Sequence, residues 1–250
     1  MNEGTPREII SRRNRPAKAP LSRDLIISTA LEILERDGLS GLSLRRVATA
    51  LDTGAASLYV YVANLKELHA LMLDRALAAV PVTEPGGLPW RDRLKAFLRA
   101  YLHVLYERQG LAQLALATIA SGPNSLRLWE ALLGLLKEGG VEDLSAAWGV
   151  DLLTLYVTAL AAEQSLRRES DQGLGQVKNA LSTVSEQQFP LVFALMDVLL
   201  SGGGETRGEW ALDVIIDGLA GGRLQPATSA APHPNQQRGR GGKNNSLPAA

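Results

Sequence analysis

The stretch GLSGLSLRRVATALDTGAASLYVYVANLKELHALML, residues 38–73, contains two short amphipathic segments separated by a turn. Apolar residues recur at three- and four-residue spacing over 44–51, which predicts a short helix. Residues 52–54 are Asp, Thr and Gly and predict a turn, and a second short helix is predicted over 55–62. Two helices this short cannot bury their own apolar faces, so a further helix has to pack beneath them.

Longer amphipathic segments lie on both sides of this pair. Before it, Ser22 is a typical N-cap residue, apolar residues follow at helical spacing, and Gly38 is placed to end the helix. After it, Asn64 and Glu67 form a capping-box pattern that predicts a fourth helix running to about Val80. This order predicts a helix-turn-helix, whose second helix enters the major groove of DNA.

The predicted second helix of the pair presents small and polar side chains. Small side chains let a helix approach base edges closely, methyl groups contact thymine methyls, and hydroxyls bond bases or phosphates. A plain three-helix bundle with an aromatic pair in its core is the alternative, but it leaves these exposed small residues unexplained. The residues are Thr53, Gly54, Ala55, Ala56, Ser57, Tyr59 and Tyr61.

This stretch resembles the DNA-binding domain of the TetR family of bacterial repressors. In that family a helix ending in Ala-x-x-Leu precedes the turn, the recognition helix carries Leu-Tyr-x-Tyr/His-Phe/Val, and a capped helix follows. The similarity covers about 60 residues, from 21 to 80. The matching positions are Ala48, Leu51, Leu58, Tyr59, Tyr61, Val62, Asn64 and Leu68.

The resemblance implies a role for each matching residue. It implies phosphate contacts from Ser43, Arg45 and the first turn of the fourth helix. It implies base contacts from the start of the recognition helix and backbone contacts from its two tyrosines. The base-facing residues would be Thr53, Ala55, Ala56 and Ser57, and the tyrosines are Tyr59 and Tyr61.

The sequence departs from the family pattern at two positions. The usual lysine after the cap is replaced by Leu65, so that phosphate contact is either absent or made by Lys66. The usual glycine after the second helix is replaced by Asp52, which tolerates a left-handed backbone and can preserve the turn.

Composition and charge restrict the class of protein. The chain has 250 residues, 46% of them hydrophobic and only 5% aromatic, so a Leu- and Ala-rich all-α core is expected. It has no cysteine, which excludes disulfides and thiolate metal sites and favours a reduced, cytoplasmic setting.

The net charge is zero, but residues 1–20 carry +3 and residues 223–250 carry +4 on an acidic body. Basic ends suit a protein that contacts a polyanion with part of its surface, although solvated tails are equally consistent with them.

Four segments are predicted along the chain. A flexible basic arm, 1–20, precedes a helix-turn-helix domain over 21–80, and the Pro- and Gly-rich break at 81–89 ends that domain. A helical domain over 90–224 and a disordered tail over 225–250 follow. Helices are predicted over 90–108, 111–120, 124–138, 143–168, 176–200 and 206–222, with Pro190 moving the start of the fifth to near Ser185 or Pro190.

The resemblance implies that the helical domain forms a homodimer and binds a small hydrophobic or amphipathic inducer. A ligand site usually combines apolar and aromatic groups with a few polar ones. The candidates are Tyr101, His103, Tyr106, Trp129, Trp148, Tyr156 and Glu163, with Trp90, Phe97 and Arg167 nearby in the same pattern. Each aromatic could instead fill the core, and Glu163 with Arg167 could be a surface helix pair.

The dimer interface is expected from helices 143–168 and 190–222. Apolar residues there exceed what one small domain needs. They are Leu191, Leu195, Val198, Leu199, Leu212, Ile215, Ile216 and Leu219.

Enzymes and membrane proteins fit the sequence poorly. The three histidines show no metal spacing, there is no phosphate-binding glycine loop or nucleophile elbow, and no cofactor is expected. Apolar runs such as 152–162 are too short to span a bilayer, so no membrane partner is expected.

The predicted function is a repressor that binds a palindromic double-stranded operator as a homodimer. The alternative is a helical protein–protein adaptor without DNA binding.

Overall fold

The computed structural model describes residues 20–82, 87–119, 121–170, 179 and 185–222. Within these residues the chain is helical and contains no strand, which confirms the all-α prediction. Most of the predicted basic arm and the whole predicted tail lie outside the described residues.

Helix α1 (Arg23–Asp37) begins and ends where the sequence predicts. The Ser22 side chain accepts a hydrogen bond from the backbone N–H of Leu25 at 3.2 Å and so caps the helix. Gly38 follows the last turn at a φ of +70°, a conformation that glycine adopts at little cost. The apolar face of α1 forms the centre of the N-terminal core.

The next three helices are α2 (Leu44–Ala50), α3 (Ala55–Leu58) and α4 (Leu65–Leu77). The turn between α2 and α3 survives without glycine because Asp52 adopts a φ of +48°, as predicted. The cap of α4 departs slightly from the predicted capping box. Asn64 Oδ1 accepts from Glu67 N at 3.0 Å, but the Glu67 carboxylate accepts from the N–H of Ala63. The Asn64 side chain thus makes the standard contact, whereas the Glu67 carboxylate accepts from the N–H one residue earlier than in the standard box.

The second half of the chain is organised around its longest helix, α8. This helix packs against α5, α6, α7 and α11, so most of the C-terminal core lies along it. The helices are α5 (Trp90–Glu107), α6 (Leu111–Leu116), α7 (Pro123–Glu138), α8 (Asp143–Ser170), α9 (Pro190–Ala194), α10 (Met196–Leu200) and α11 (Gly204–Ala220).

Three predicted helices are too long, and one of them, α4, ends at Leu77 and not near Val80. The segment 55–62 is α-helical only to Leu58, because the N–H groups of Tyr59 and Tyr61 then bond to carbonyls three residues back and tighten the turn. The segment 111–120 ends at Leu116, where the N–H of Ala117 is shared between two carbonyls.

The prediction for 176–200 is also corrected. Residues 176–178 and 180–184 lie outside the described part of the chain. Pro190 begins α9, as its missing N–H favours, and the path breaks at Leu195 before α10. The last helix spans Gly204–Ala220, two residues earlier at each end than predicted.

Helix α8 contradicts the expectation that no stretch is long enough to span a membrane. By length and composition alone, the 26 residues Asp143–Arg168 pass that test. In the folded chain 44% of the most apolar window is buried, and core helices of globular proteins pass the same test. The apolarity of α8 is therefore partly used in the core, and the remainder is exposed.

Helices α4 and α7 meet at a buried polar contact, which we call the α4–α7 joint (Asp74, Asn124, Ser125 and Arg127). Asp74 is only 7% exposed. Its carboxylate accepts from Ser125 N and Ser125 Oγ at 2.9 Å each and from Asn124 Nδ2 at 3.0 Å. Since the N-cap position of α7 is Gly122, which has no side chain, Asp74 caps α7 from another helix.

The same joint caps the other helix in return. The Arg127 guanidinium donates to the carbonyls of Leu77, Ala78 and Val80 at 3.1–3.2 Å. These carbonyls lie at the C-terminal end of α4, where a cation is favourable. Each helix thus supplies the charged side chain that satisfies the end of the other.

A second polar contact, the α5–α11 ion-pair row, joins two helices through pairs on successive turns. Basic residues at four-residue intervals on α5 face acidic residues at four-residue intervals on α11. Arg91 lies 2.6 Å from Asp217, Lys95 pairs with Asp213, and Arg99 binds Glu209 through two hydrogen bonds of 2.5 and 2.7 Å. The hydrogen bonds from Arg99 hold the pKa of Glu209 below its ordinary value.

Candidate nucleic-acid interface and ligand cavity

Helices α2 and α3 pack against the N-terminal core with one face, and side chains on their other positions are exposed. Val47, Ala48 and Leu58 are buried against α1 and α4. Arg23 at the start of α1 donates to the Tyr61 carbonyl at 3.1 Å and to Glu67 of α4 at 3.2 Å. The end of the recognition segment is therefore fixed to two other helices.

The predicted DNA-contacting residues differ in exposure. Five of them are exposed in this structure, namely Arg45, Gly54, Ala56, Ser57 and Tyr59, and Lys66 is exposed beside them. Four are half-buried, namely Ser43, Thr53, Ala55 and Tyr61, the last two packing against the core. Direct base or phosphate contact is easiest for the exposed group.

The two arginines of α2 have different partners. Arg46 lies 2.7 Å from Asp37 and donates to the Gly41 carbonyl at 2.9 Å, so it stabilises the start of α2. Arg45 is exposed and forms no ion pair with the residues that the structure describes. Of the two arginines, Arg45 is therefore the more accessible, and it is the one for which the resemblance implies a phosphate contact.

Ser43 has a structural role besides its predicted phosphate contact. Its side chain accepts from Arg46 N at 3.3 Å and caps α2. A serine hydroxyl keeps its proton when it accepts, so Ser43 can still donate to a phosphate oxygen.

The sequence prediction missed Val60. This side chain is 81% exposed, more than any other large apolar residue between α1 and α4, and it adjoins Tyr59 on the outer surface. An apolar side chain this exposed adds nothing to the core. The signal was available, because Leu58 and Val62 are the buried positions of this turn and Val60 lies between them.

Helix α4 begins directly after the recognition segment, with Asn64 as its N-cap. Leu65, which replaces the usual lysine, is half-buried against the core, whereas Lys66 is exposed. Further along, His69 has a buried Nε2 without a hydrogen-bond partner among the described residues, and burial lowers its pKa. His69 is therefore neutral at pH 7 and adds no charge to this surface.

A cavity of about 240 Å³ lies among α4, α6, α7 and α8. Tyr101 forms part of its wall, is 6% exposed and shares a hydrogen bond of 2.7 Å with Thr158. Burial raises the pKa of Tyr101, so its hydroxyl stays protonated. Leu73 and Leu77 of α4 and Ser125 of the α4–α7 joint also line the cavity. A molecule inside it would contact the helix that leads to the recognition segment.

The cavity contains only two of the seven predicted ligand residues, Tyr101 and Trp129. His103 lies on the surface beside Glu107, and Glu163 pairs with Arg167 at 2.6 Å on the outside of α8. The Tyr106 ring lies under the guanidinium of Arg168.

The remaining aromatics also lie elsewhere. Trp148 is exposed on α8, and Tyr156 faces an apolar groove bounded by α10 and α11. Phe97 is in the core, and Trp90 covers Gly139, where a Cβ would lie 2.5 Å from the ring. Residues of the cavity that the prediction missed include Thr118, Asp151 and Thr154.

Comparisons with known proteins identify the family. The family described as "Tetracyclin repressor-like, C-terminal domain" matches residues 81–222. The HTH-type transcriptional repressor DrrR1 of Streptomyces coeruleorubidus is 30% identical over 220 residues, which cover 82% of this chain and 80% of that protein. The chain belongs to the TetR family of helix-turn-helix transcription regulators.

Solved structures agree with this assignment. Apo ActR from Streptomyces coelicolor superposes with a TM-score of 0.75 at 38% identity, covering 82% of this chain and 98% of ActR. ActR in complex with actinorhodin gives the same TM-score and identity over 81% of this chain and 98% of ActR. The family assignment confirms a DNA-binding regulator and not an enzyme, and it removes the adaptor alternative.

Proposed function

We propose that this regulator represses transcription as a homodimer on a palindromic operator and that a small molecule in the cavity among α4, α6, α7 and α8 releases it. The observation that carries the proposal is the exposure of Gly54, Ala56, Ser57 and Tyr59 in the recognition segment and of Arg45 in α2, which forms no ion pair with the described residues. These residues combine base-reading chemistry with an exposed cation.

Gly54 supports close approach to DNA. Its φ of −80° suits any residue, and a Cβ built there meets no atom within 4 Å. The fold therefore has no need of glycine at this position, whereas a base edge or phosphate against the helix start does.

The variant Gly54→Ala tests this contact. We expect a small fall in melting temperature, because alanine is a poorer N-cap than glycine, and at least a tenfold loss of operator affinity, measured by fluorescence anisotropy. Gly134→Ala, at an open position on α7, is the control and should bind operator normally. Normal operator binding by Gly54→Ala would remove Gly54 from the interface.

The dimer proposal rests on apolar surface that one chain leaves exposed. On α8 this surface includes Trp148, Leu152 and Leu155, and on α11 it includes Trp210 and Val214. Helices with such faces bury them in a symmetric, isologous interface. The predicted interface residues need revision, because Leu212, Ile216 and Leu219 of α11 are already buried within the chain.

Light scattering tests the dimer directly. The full chain should give twice its mass of 26.8 kDa at micromolar concentration. Trp210→Glu should move the mass towards the monomer, since Trp210 is 68% exposed and its loss leaves the core of one chain intact. A monomeric wild-type chain would contradict the proposal.

The operator proposal follows from the symmetry of the dimer. Two recognition segments would enter successive major grooves about 34–36 Å apart on a palindrome. Selection from random DNA duplexes should enrich an inverted repeat. Enrichment of a single, non-repeated site, or of no site, would count against it.

The inducer proposal rests on the position of the cavity against Leu73 and Leu77 of α4. The related regulator ActR binds actinorhodin, so a panel of aromatic small molecules that includes actinorhodin is the natural test. At least one member should lower the fraction of operator bound, because it stabilises a DNA-incompetent state. Leu73→Trp, which fills the cavity, should abolish that release.

A further inference from the structure

The cavity among α4, α6, α7 and α8 has an unusual balance of polar groups. Its wall is mostly apolar, with leucine, alanine and isoleucine side chains and the rings of Tyr101 and Trp129. It contains no basic side chain among the described residues, and its single charged side chain is Asp151. An organic anion placed there would meet a carboxylate and no cation.

Most oxygen-bearing side chains of the wall are already used by the protein. Tyr101 and Thr158 bind each other at 2.7 Å. Ser125 Oγ donates to Asp74 at 2.9 Å, and Thr154 Oγ1 donates to the Val150 carbonyl at 2.7 Å. These hydroxyls give the cavity shape but have little capacity left to select a ligand.

Two groups remain for a ligand. The Asp151 carboxylate is exposed at the wall and forms no ion pair with the residues that the structure describes. The Thr118 hydroxyl is buried and has no hydrogen-bond partner among them. A buried polar atom without a partner is costly, and a bound molecule would satisfy it.

A second carboxylate adds to the negative field. Asp74 lies directly behind Ser125, which lines the cavity. The half-exposed ring of Trp129 supplies an electron-rich face that attracts cations. Charge and aromatic surface therefore favour the same kind of ligand.

We propose that the cavity selects planar aromatic molecules carrying a positively charged nitrogen, with the cation at Asp151 and a hydrogen-bonding group at Thr118. The ring system lies among the apolar side chains and against Trp129. This proposal rests on the proposed inducer site, but it concerns binding to the protein alone.

Three molecules with one ring system test the charge preference. They are 9-aminoacridine, which is cationic at neutral pH, neutral acridine and the anion acridine-9-carboxylate. Their binding to the full chain without DNA is measured by fluorescence anisotropy. We expect 9-aminoacridine to bind at least tenfold more tightly than the carboxylate, with acridine between them.

The variant Asp151→Asn separates a specific contact from the general field. It should weaken 9-aminoacridine about tenfold, the size of one charge-assisted hydrogen bond, and leave acridine unchanged. Glu130→Gln, which removes an exposed acid beside Trp129 and outside the wall, is the matched control and should change neither affinity.

Several outcomes would overturn the proposal. These are equal or tighter binding of the carboxylate, an equal effect of Asp151→Asn on all three molecules, or no saturable binding of any of them. A failure of operator selection would contradict the proposed function but leave these measurements unaffected, since they contain no DNA.

Discussion

The α4–α7 joint and the α5–α11 ion-pair row both connect helices far apart in the sequence, but by opposite physical means. The joint places one carboxylate, 7% exposed, among three hydrogen bonds. The row spreads three pairs along an accessible groove, and the side chains of Asp213 and Asp217 are more than half exposed.

This difference in exposure decides the energetics. A buried donor that loses its partner cannot turn to water, so the cost of breaking the joint is large and independent of salt. Exposed pairs exchange protein partners for water and ions at little cost. The joint should behave as a rigid connection between the DNA-binding helices and the cavity, and the row as an adjustable one.

The largest effect is expected from Asp74→Ala. The substitution leaves Ser125 N, Ser125 Oγ and Asn124 Nδ2 without their acceptor in a buried place. We expect a loss of about 3 kcal/mol in the free energy of unfolding, measured by urea denaturation. Glu32→Ala, on the exposed face of α1, should change it by less than about 0.5 kcal/mol. A similar small change for Asp74→Ala would show that water replaces the carboxylate.

Gly122→Ala should break the same joint by steric means alone. Its Cβ would lie 2.2–2.4 Å from the Asp74 carboxyl group. We expect the free energy of unfolding to fall by about 2 kcal/mol, the usual cost of overpacking. The control is Gly134→Ala, inside α7. A Cβ there meets nothing within 4 Å, so this variant should stabilise the protein by about 0.5–1 kcal/mol. Equal changes in the free energy of unfolding for Gly122→Ala and Gly134→Ala would contradict the close contact between Gly122 and Asp74.

Removing the shared acid of the row, by Glu209→Gln, should have a smaller effect that depends on salt. Glu209 binds Arg99 and lies 3.6 Å from Lys95. We expect a loss of about 1 kcal/mol at low ionic strength, falling by more than half at 1 M NaCl, where the Debye length is about 3 Å. Asp197→Asn, an exposed change on α10, is the control. A loss of unfolding free energy that persists in 1 M salt would show that the ion-pair row is insensitive to salt, as the joint is expected to be.

The smallest effect concerns pH. Because the pKa of Glu209 is lowered in the folded state from 4.5, its contribution is fully present above pH 4.5. The contribution is lost as the pH falls through the lowered folded pKa. The difference in stability between wild type and Glu209→Gln should therefore shrink below pH 4.5 in urea titrations. A constant difference would mean that the charge of Glu209 is unimportant.

The sequence predicted the helix-turn-helix well because its signals are local. Ser22 and Asn64 cap helices within three residues of themselves, and Asp52 adopts its positive φ within one turn. The apolar spacing also identified the buried faces of α1 and α4. Such features are determined by near neighbours along the chain.

The cavity could not be predicted in the same way. Tyr101 and Thr158 are 57 residues apart, and Asp74 and Ser125 are 51 apart, so only helix packing brings them together. One error was avoidable, because positions 101 and 103 are about 200° apart on a helix and cannot share one wall. The spacing of 91, 95 and 99 against 209, 213 and 217 was also visible as opposite charges at equal intervals.

Helix α8 has one more consequence, which concerns the amount of protein in solution. It leaves Trp148, Leu155 and Leu166 more than half exposed in a single chain. If pairing covers them, part of the folding free energy comes from a second molecule, and stability follows mass action. The melting temperature should then rise with protein concentration, and dilute chains should unfold first. A cell would hold this regulator stable only above the concentration at which it pairs.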